Sequence, residues 1–314
     1  MSASITGGQV DRLFLGVLLL DLFFLVPVVV AILRFAIRYR RGSRVDRSPS
    51  RFSPTLLEGF FIGTPLVLGV ATFAWSAALF VRMEQPPAGA MEIDVVGQQW
   101  MWKVQHPEGR QEIDELHVPA GVPIRLVLAS QDVIHSFYVP AFRMKQDVVP
   151  GRYTTAWFTA NRPGTYRLYC AEYCGERHSM MGGWVTVMPP AEYAAWLTAG
   201  AAGRPASSLA SRGRQLFQAR GCSGCHHQDT SGIGPPLAGV FGGPVPLGDG
   251  RVVTADENYV RDSILLPGKD VVAGYAPVMP SFAGQIAETD LLAIVAYLRS
   301  LAVTAGNARS EETR

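Results

Sequence analysis

Two long apolar runs near the N-terminus dominate the hydrophobic pattern of this 314-residue chain. The first covers residues 13–33 (LFLGVLLLDLFFLVPVVVAIL) and the second residues 60–81 (FFIGTPLVLGVATFAWSAALFV). Each has about the 20 residues that a helix needs to cross a hydrocarbon core of about 30 Å. A secretory signal peptide competes for the first run, but no small-residue cleavage site follows it. The pattern therefore predicts a transmembrane hairpin in residues 1–90, with spans at about 13–37 and 58–81.

Residues 91–190 have a different pattern, in which short runs alternate apolar and polar side chains. In PIRLVLAS the apolar positions are Ile124, Leu126 and Leu128, and similar runs recur at TTAWFTA, GTYRLYC and GGWVTVM. A period of two is typical of half-buried strands, and proline-glycine turn signals separate the runs. This part of the chain is predicted to be an all-β sandwich or barrel, whose end loops can hold ligands.

The pattern becomes helical after a segment rich in Ala, Gly, Ser and Pro, AGAAGRPASSLA. That composition predicts a linker over residues 191–210. Three helices are expected in the all-α domain that follows, residues 211–302, at SRGRQLFQAR, DENYVRDSIL and ETDLLAIVAYLRSL. The polar residues 303–314 are predicted to form a flexible tail. The predicted fold class is thus a multidomain membrane protein with a two-helix hairpin, an all-β domain and an all-α domain.

The charge distribution gives the orientation of the hairpin. Residues 34–51, between the two apolar runs, contain one acid, Asp46, and contribute +7 − 1 = +6 to a total formal charge of +2; the bases are Arg34, Arg38, Arg40, Arg41, Arg44, Arg47 and Arg51. Positive loops stay on the cytoplasmic side. Both ends of the chain are therefore expected on the periplasmic or outer side of the cell's inner or plasma membrane. The outer segments are nearly balanced in charge, so no nucleic-acid surface is predicted.

The cysteines near residue 222 form a haem attachment signature. Residues 222–226 read CSGCH, and in CxxCH both thiols form thioether bonds to haem c while the histidine binds the iron. The only methionine between residues 205 and 314 is Met279. Cys222, Cys225, His226 and Met279 are therefore predicted to hold a covalent haem with His/Met ligation, which carries electrons and leaves no open position for substrate.

The segment Cys170 to Met181, CAEYCGERHSMM, concentrates soft metal ligands. A disulfide between Cys170 and Cys174 is the alternative on this oxidising side of the membrane. Thiolate, thioether and imidazole together favour copper, and two thiolates can bridge two copper ions that share an odd electron. A second imidazole is then needed. His135 is the preferred candidate, while His106 and His117 lie beside turn prolines and are expected at the surface.

The phrases GQQWMW, ELHVPAG, SQDVIHSFYVPAFRMKQDVVPGR and RPGTYRLYCAEYCG, with the membrane hairpin, resemble cytochrome c oxidase subunit II. The domain around CSGCHH resembles class I cytochrome c, and the resemblance covers about residues 10–302. It implies a cupredoxin-like domain with a dinuclear copper centre (CuA), followed by a cytochrome c domain. Gly213, Phe217 and Tyr297 match positions where the terminal helices of cytochrome c cross.

The resemblance also implies a role for each residue of the copper loop. Cys170 and Cys174 match the bridging thiolates, His135 and His178 the terminal imidazoles, and Met181 the weak thioether ligand, with Met180 as the neighbouring alternative. Glu172 matches the carbonyl ligand, and its side chain the position facing a magnesium ion at the contact with subunit I. Trp100 matches the exposed aromatic residue that receives electrons from cytochrome c; a core Trp is its structural alternative.

The resulting hypothesis is a one-electron relay in a respiratory cytochrome c oxidase. An external cytochrome c or another one-electron donor reduces haem c, and the electron passes through CuA to haem in subunit I, where oxygen is reduced to water. Membrane lipid, subunit I and subunit III are the implied partners. Two alternatives remain: the equivalent subunit of a CuA-containing nitric oxide reductase, and a membrane-anchored copper-binding or delivery protein.

Overall fold

The computed structural model describes residues 2–46, 53–199, 208–227 and 232–312, without the side chains of residue 54 and of residues 303–312. In this range the chain forms a helical hairpin, a β-sandwich and a helical domain, which is the predicted fold class. Much of the predicted linker, residues 200–207, lies outside the described residues.

The hairpin consists of helices α1 (Ile5–Arg38) and α2 (Pro54–Glu84). Their most apolar 18-residue windows have mean hydropathies of 2.8 and 1.8, and 0% and 6% of those windows is buried within the chain. Apolar helices with so little buried surface belong in lipid or against other membrane proteins. Both helices extend beyond the predicted spans. Ser4 caps α1 by accepting a hydrogen bond from the Gly7 amide, 3.0 Å away.

The β-sandwich contains two five-stranded sheets, with strand orders β3-β2-β1-β5-β8 and β4-β10-β9-β6-β7. Its strands are β1 (Met91–Gln98), β2 (Met101–Gln105), β3 (Gln111–Ile113), β4 (Glu115–Pro119), β5 (Pro123–Ser130), β6 (His135–Val139), β7 (Met144–Val148), β8 (Thr154–Thr159), β9 (Gly164–Cys170) and β10 (Gly182–Met188). The predicted alternation on β5 is confirmed, because Ile124, Leu126 and Leu128 are fully buried between the sheets.

A helix that the sequence did not predict, α3 (Pro190–Ala199), follows the sandwich where the linker was expected to begin. It covers His106, so the expectation of a surface histidine is wrong. His106 is fully buried and its ring nitrogens contact the Tyr193 hydroxyl (3.0 Å) and the Glu112 carboxylate (2.8 Å). His117 is partly buried and stacks on Trp196, with 4.5 Å between ring centroids. The Glu112 carboxylate contacts both histidines, at 2.8 Å from His106 Nε2 and 2.5 Å from His117 Nδ1.

The helical domain is built on the crossing of α4 (Leu209–Ala219) and α6 (Glu288–Glu312), with α5 (Glu257–Leu265) beside them and a small hairpin of β11 (Pro244–Pro246) and β12 (Val252–Thr254). Gly213 lies at the crossing, where a Cβ would clash with the Ala293 carbonyl. Phe217 packs on Tyr297 with ring centroids 5.5 Å apart. The backbone of α6 continues to Glu312, within the segment that the sequence predicts to be a flexible tail.

The helical domain packs on the outer face of the β1-β5-β8 sheet. Val96, Val127, Ala129 and Tyr153 from the sandwich share one buried apolar cluster with residues of α4, α5 and α6. At one end of this interface four side chains form what we call the charge ring, in which each acid contacts both arginines. Its members are Glu92, Arg125, Glu257 and Arg299.

Within the charge ring, Arg125 Nη1 lies 2.6 Å from Glu92 Oε2 and 3.0 Å from Glu257 Oε1. Arg299 Nη2 lies 2.7 Å from Glu257 Oε1, and Arg299 also contacts Glu92. Glu92 and Arg125 are direct neighbours on parallel strands β1 and β5. The sandwich and the helical domain thus each contribute one acid and one base.

Candidate functional site

The predicted copper ligands converge at one end of the sandwich. Cys170 ends β9, and the loop after it brings Cys174 Sγ within 3.8 Å of Cys170 Sγ, 3.5 Å of His178 Nδ1 and 3.7 Å of Met181 Sδ. His135, at the start of β6, offers a ring nitrogen within 4.8 Å of both cysteine sulfurs. Five side chains of three donor types, thiol, imidazole and thioether, therefore surround one small volume, as a metal site requires.

The two cysteines are not bonded to each other. Their sulfurs are 3.8 Å apart, whereas a disulfide needs about 2.05 Å. Both thiols are buried, and both point into the ligand cluster. The arrangement leaves each sulfur available as a metal ligand.

A carboxylate that the sequence analysis missed orients His135. Asp132 Oδ1 accepts a hydrogen bond from His135 Nε2 at 2.7 Å, which places the proton on that nitrogen. Among the residues that the structure describes, His135 Nδ1 is then a buried atom without a hydrogen-bond partner. A buried unpaired nitrogen facing two thiols is what a missing metal ion would leave, so the residues fit copper.

The position of the His135 ring also requires glycine at the neighbouring residue on β1. A Cβ on Gly97, at the end of β1, would lie 2.9 Å from His135 Cδ2. Glycine at this position leaves room for the imidazole beside the sandwich core.

The electrostatics of the cysteine pair favour negative charge at the site. Burial raises the pKa of Cys170, but the adjacent His135 ring and hydrogen bonds with the backbone outweigh it and lower the value to about 6. Burial and the neighbouring Cys170 thiolate raise the pKa of Cys174 to about 12. Of the two cysteines, only Cys170 is therefore readily deprotonated. A bound cation is needed to stabilise a thiolate on Cys174 as well.

The structure distinguishes between the two neighbouring methionines. Met181 is 2% exposed and contacts Cys174, whereas Met180 is 77% exposed. The Glu172 carbonyl oxygen lies 3.2 Å from Cys170 Sγ, as a backbone ligand would, and the Glu172 side chain is exposed. The geometry thus brings Met181 and Glu172 to the cluster and leaves Met180 outside it.

Trp100 lies in the turn between β1 and β2, directly beside the copper loop. Its Nε1 donates a hydrogen bond to the Cys174 carbonyl at 3.2 Å, and Gln99 Nε2 donates to the same oxygen at 2.8 Å. Trp100 is partly exposed, whereas Trp102 is the fully buried core residue. An indole with one edge in solvent and the other bonded to a ligand residue suits electron uptake.

The predicted haem residues line a single cavity of about 440 Å³ in the helical domain. Cys222, Cys225, His226 and Met279 all border it, and most other lining side chains are apolar. A large apolar cavity with a few polar groups is typical of a cofactor site. The four residues that the sequence singled out are thus brought together, although 57 positions separate Met279 from Cys222 in the chain.

The orientation of His226 depends on a proline carbonyl. His226 Nδ1 donates to the Pro235 carbonyl at 2.9 Å, which leaves Nε2 for a metal. Gly234 makes room for the ring, because a Cβ there would lie 2.7 Å from His226 Cε1. The sequence analysis missed Pro235, although proline and glycine residues soon after a CxxCH signature were a signal that could have found it.

Comparison with known proteins is consistent with this arrangement. The profile of the family described as cytochrome C oxidase subunit II, periplasmic domain, matches residues 110–187, and the cytochrome c profile matches residues 210–302. A crystal structure of the periplasmic domain of subunit II of cytochrome oxidase from Bradyrhizobium japonicum is 30% identical. The match covers 37% of the present chain and 96% of the Bradyrhizobium chain, with a TM-score of 0.36.

Two curated relatives extend the comparison to full-length proteins. Alternative cytochrome c oxidase subunit 2 from Bradyrhizobium diazoefficiens is 30% identical over 208 residues, which are 56% of this chain and 73% of that protein. Cytochrome c oxidase subunit 2 from Alkalihalophilus pseudofirmus is 30% identical over 306 residues, which are 93% of this chain and 87% of that protein. The chain therefore belongs to the cytochrome c oxidase subunit II family, as a member with a cytochrome c domain at its C-terminal end.

Proposed function

We propose that this chain is the electron-accepting subunit of a respiratory oxidase, in which single electrons arrive at a covalently bound haem c and continue through a dinuclear copper centre to subunit I. The observation that carries the proposal is the convergence of six predicted copper ligands beside a separate cavity bordered by CxxCH and Met279. Oxygen reduction belongs to the partner, because neither membrane helix contains a histidine to bind haem or copper.

The copper centre would be held by Cys170 and Cys174 as bridging thiolates and by His135 and His178 as imidazole ligands. Met181 and the Glu172 carbonyl would complete the set. Such a centre supplies fast one-electron exchange, since the charge is shared between two metal ions. The chain's own residues hold its geometry: Asp132 orients His135, while Gln99 and Trp100 bind the Cys174 carbonyl.

The haem would be attached through Cys222 and Cys225, with His226 and Met279 as ligands of its iron. Because two side chains of the chain would then bind the iron, the haem would supply one-electron transfer rather than oxygen activation. Trp100 is the second point of electron uptake, for a donor that docks on the sandwich. Cytochrome c is the donor class that the family implies.

The remaining partners follow from exposed groups. The apolar surfaces of α1 and α2 would contact lipid and the other oxidase subunits, including subunit III. The exposed Glu172 carboxylate is available to a magnesium ion at the contact with subunit I. We place the chain in the inner or plasma membrane, with both metal-binding domains on the periplasmic side.

Metal analysis of the purified oxidase, together with electron paramagnetic resonance, tests the proposal. We expect one haem c and two copper ions per chain, with hyperfine splitting from both copper nuclei. A single-nucleus copper pattern, or a disulfide between Cys170 and Cys174 in the metal-replete protein, would contradict it. Nitric oxide turnover without oxygen turnover would identify the reductase alternative, and ready loss of copper to a chelator would identify the delivery protein.

A further inference from the structure

The loop from Val148 to Tyr153 joins the copper-binding end of the sandwich to the cytochrome domain. Val148 ends β7 and is the β-sheet partner of His135. Pro150 forms an isolated bridge with Ser130, at the end of β5. Tyr153, just before β8, is 3% exposed and belongs to the apolar cluster shared with the cytochrome domain. One end of this loop therefore touches a copper ligand, and the other end is buried against the second domain.

Helix α5 of the cytochrome domain holds this loop by its backbone. Asn258 Oδ1 accepts a hydrogen bond from the Tyr153 amide at 2.7 Å, and Asn258 Nδ2 donates to the Tyr153 carbonyl at 3.4 Å. Arg261 Nη1 donates to the Gly151 carbonyl at 2.8 Å. Arg261 is itself fixed by a two-point ion pair with Glu288 on α6, at 3.1 and 3.3 Å. Three hydrogen bonds thus connect α5 to the loop.

The opposite face of α5 forms part of the haem cavity. Tyr259, Val260 and Ile264 line that cavity, while Asn258 and Arg261 face the sandwich. The space for haem and the loop are therefore separated by the thickness of one helix. From α5 the connection to His135 consists of hydrogen bonds and a few residues of covalent chain, which couple electron donors and acceptors better than gaps through space.

The charge ring attaches the same helix to different strands. Glu257 precedes Asn258 on α5, but its side chain contacts Arg125 on β5 and Arg299 on α6. On the sandwich, Gly97 beside His135 marks the copper-binding end of β1, and Glu92 lies five residues earlier on that strand. At about 3.3 Å per residue, Glu92 is about 17 Å from that end of β1. The contacts of the charge ring with the sandwich are therefore made on β1 and β5, whereas those of Asn258 and Arg261 are made on the loop that adjoins the copper-ligand strand.

We propose that the loop Val148–Tyr153, held by Asn258 and Arg261, is the junction through which the cytochrome domain is electronically coupled to the dicopper site. This inference rests on the proposed relay and assigns positioning residues to its internal step. The step is a one-electron transfer in which ferrous haem is oxidised and the oxidised copper pair is reduced, with no bond made or broken. Trp100 then serves donors that reach the copper site from solvent.

Two variants of the intact oxidase separate the junction from the rest of the interface. Asn258→Ala removes both hydrogen bonds to Tyr153, and alanine is well tolerated in a helix. Arg125→Gln, the matched control, breaks the contacts of the charge ring with Arg125 but leaves the loop in place. Each variant removes two polar contacts, so general loosening of the interface affects both.

The measurements are the rate of electron transfer from photoreduced haem c to CuA and the hydrogen–deuterium exchange of the loop. In Asn258→Ala we expect the rate to fall about tenfold, with unchanged haem and copper spectra. Exchange at the Tyr153 amide should accelerate about fivefold, and this readout is independent of turnover. Arg125→Gln should keep both values within about threefold of the wild type.

The inference would be overturned if the transfer rate in Asn258→Ala equalled that of the wild type. It would also be overturned if the transfer rate fell equally in Asn258→Ala and Arg125→Gln. These results differ from a failure of the relay itself, in which haem c of the wild-type oxidase would not reduce copper at all. Faster amide exchange with an unchanged transfer rate would also overturn the inference, since it would show that the loop moves without affecting coupling.

Discussion

Two histidines show how single residues prepare both sites for metal. His135 uses Nε2 to bind Asp132 and turns Nδ1 toward the cysteines, whereas His226 uses Nδ1 to bind Pro235 and keeps Nε2 for the haem. In each ring the partner of one nitrogen decides which nitrogen is left with a lone pair. Each proposed ligand is therefore oriented by the chain itself.

Removing the carboxylate next to His135 should weaken copper binding. Asp132→Ala abolishes the 2.7 Å hydrogen bond that orients the ring, so we expect about 10–100-fold lower copper affinity. The measurement is competition with a copper chelator. Glu115→Ala, which removes an exposed carboxylate on β4, should retain the wild-type affinity. Equal affinities in Asp132→Ala and the wild type would show that packing alone orients His135.

Met279 can be tested through the coordination of iron. Met279→Ala should leave the haem covalently attached, because Cys222 and Cys225 remain, but should open the sixth coordination position. The optical spectrum should change, and reduced haem should bind carbon monoxide. Met180→Ala, a change at a 77% exposed residue, is the control and should leave the spectrum as it is. A Met279→Ala spectrum identical to the wild type would mean that another residue binds the iron.

The residues that converge in the two candidate sites could be predicted from the sequence because most of them lie close together in the chain. CAEYCGERHSMM and CSGCH each specify a chemistry within twelve residues or fewer. Their supporting partners could not be predicted in this way. Gln99 reaches the Cys174 carbonyl across 75 positions, and only the fold brings them together.

At the scale of elements, periodicity predicted strands β5, β8, β9 and β10 and helices α4, α5 and α6, each of which buries apolar residues in a core. The alternation on β5 and the broad apolar face of α6 are examples. Helix α3 was missed because its start resembles a linker in composition, and what stabilises it is tertiary packing of Tyr193 and Trp196 on two histidines. His106 was misplaced for the same reason, since its covering helix was not foreseen.

The close crossing of α4 and α6 depends on a residue without a side chain. Gly213→Ala should force the helices apart, because the new Cβ would clash with the Ala293 carbonyl. We expect a loss of about 1–3 kcal/mol in the free energy of unfolding of the cytochrome domain. Thermal unfolding monitored by haem absorbance measures this change.

Gly268→Ala is the matched control, since a Cβ there meets nothing within 4 Å. It should leave the transition temperature close to that of the wild type. Equal transition temperatures in the two variants would show that the crossing of α4 and α6 can accommodate an additional methyl group.

At the scale of the whole molecule, the two outer domains share an interface that contains a buried acid. Asp94 lies on the outward face of β1, between Glu92 and Val96. Burial and the nearby Glu257 raise the pKa of Asp94 to about 7, while Arg125 opposes them. Tyr153, Glu92 and Arg299 are the other titratable or charged groups around this part of the interface. Folded protein therefore keeps a proton on Asp94 that the unfolded chain releases near pH 4.

This difference predicts lower stability at higher pH. Between pH 4 and 7 the folded state binds more protons than the unfolded state, so the free energy of unfolding decreases as the pH rises and then levels off. From pH 5 to 8 we expect a loss of about 2 kcal/mol. Calorimetry of the wild type and of Asp94→Asn measures it, and the variant should lack this slope and be more stable than the wild type at pH 8.

Asp249→Asn is the control for the pH series, because Asp249 is exposed and its pKa is lowered by hydrogen bonds from Arg251. In Asp249→Asn the free energy of unfolding should still decrease between pH 5 and 8 as it does in the wild type. A slope that persists in Asp94→Asn would assign the pH dependence to a different group.

The charge ring has a consequence for how the protein tolerates salt. Its two acids and two bases cancel, and their contacts are far shorter than the Debye length of about 8 Å at physiological ionic strength. Dissolved ions therefore screen the long-range attraction of a charged external donor strongly. They weaken the ion pairs at the interface between the two domains much less. Raising the salt concentration outside the membrane should therefore leave the cytochrome domain attached to the sandwich.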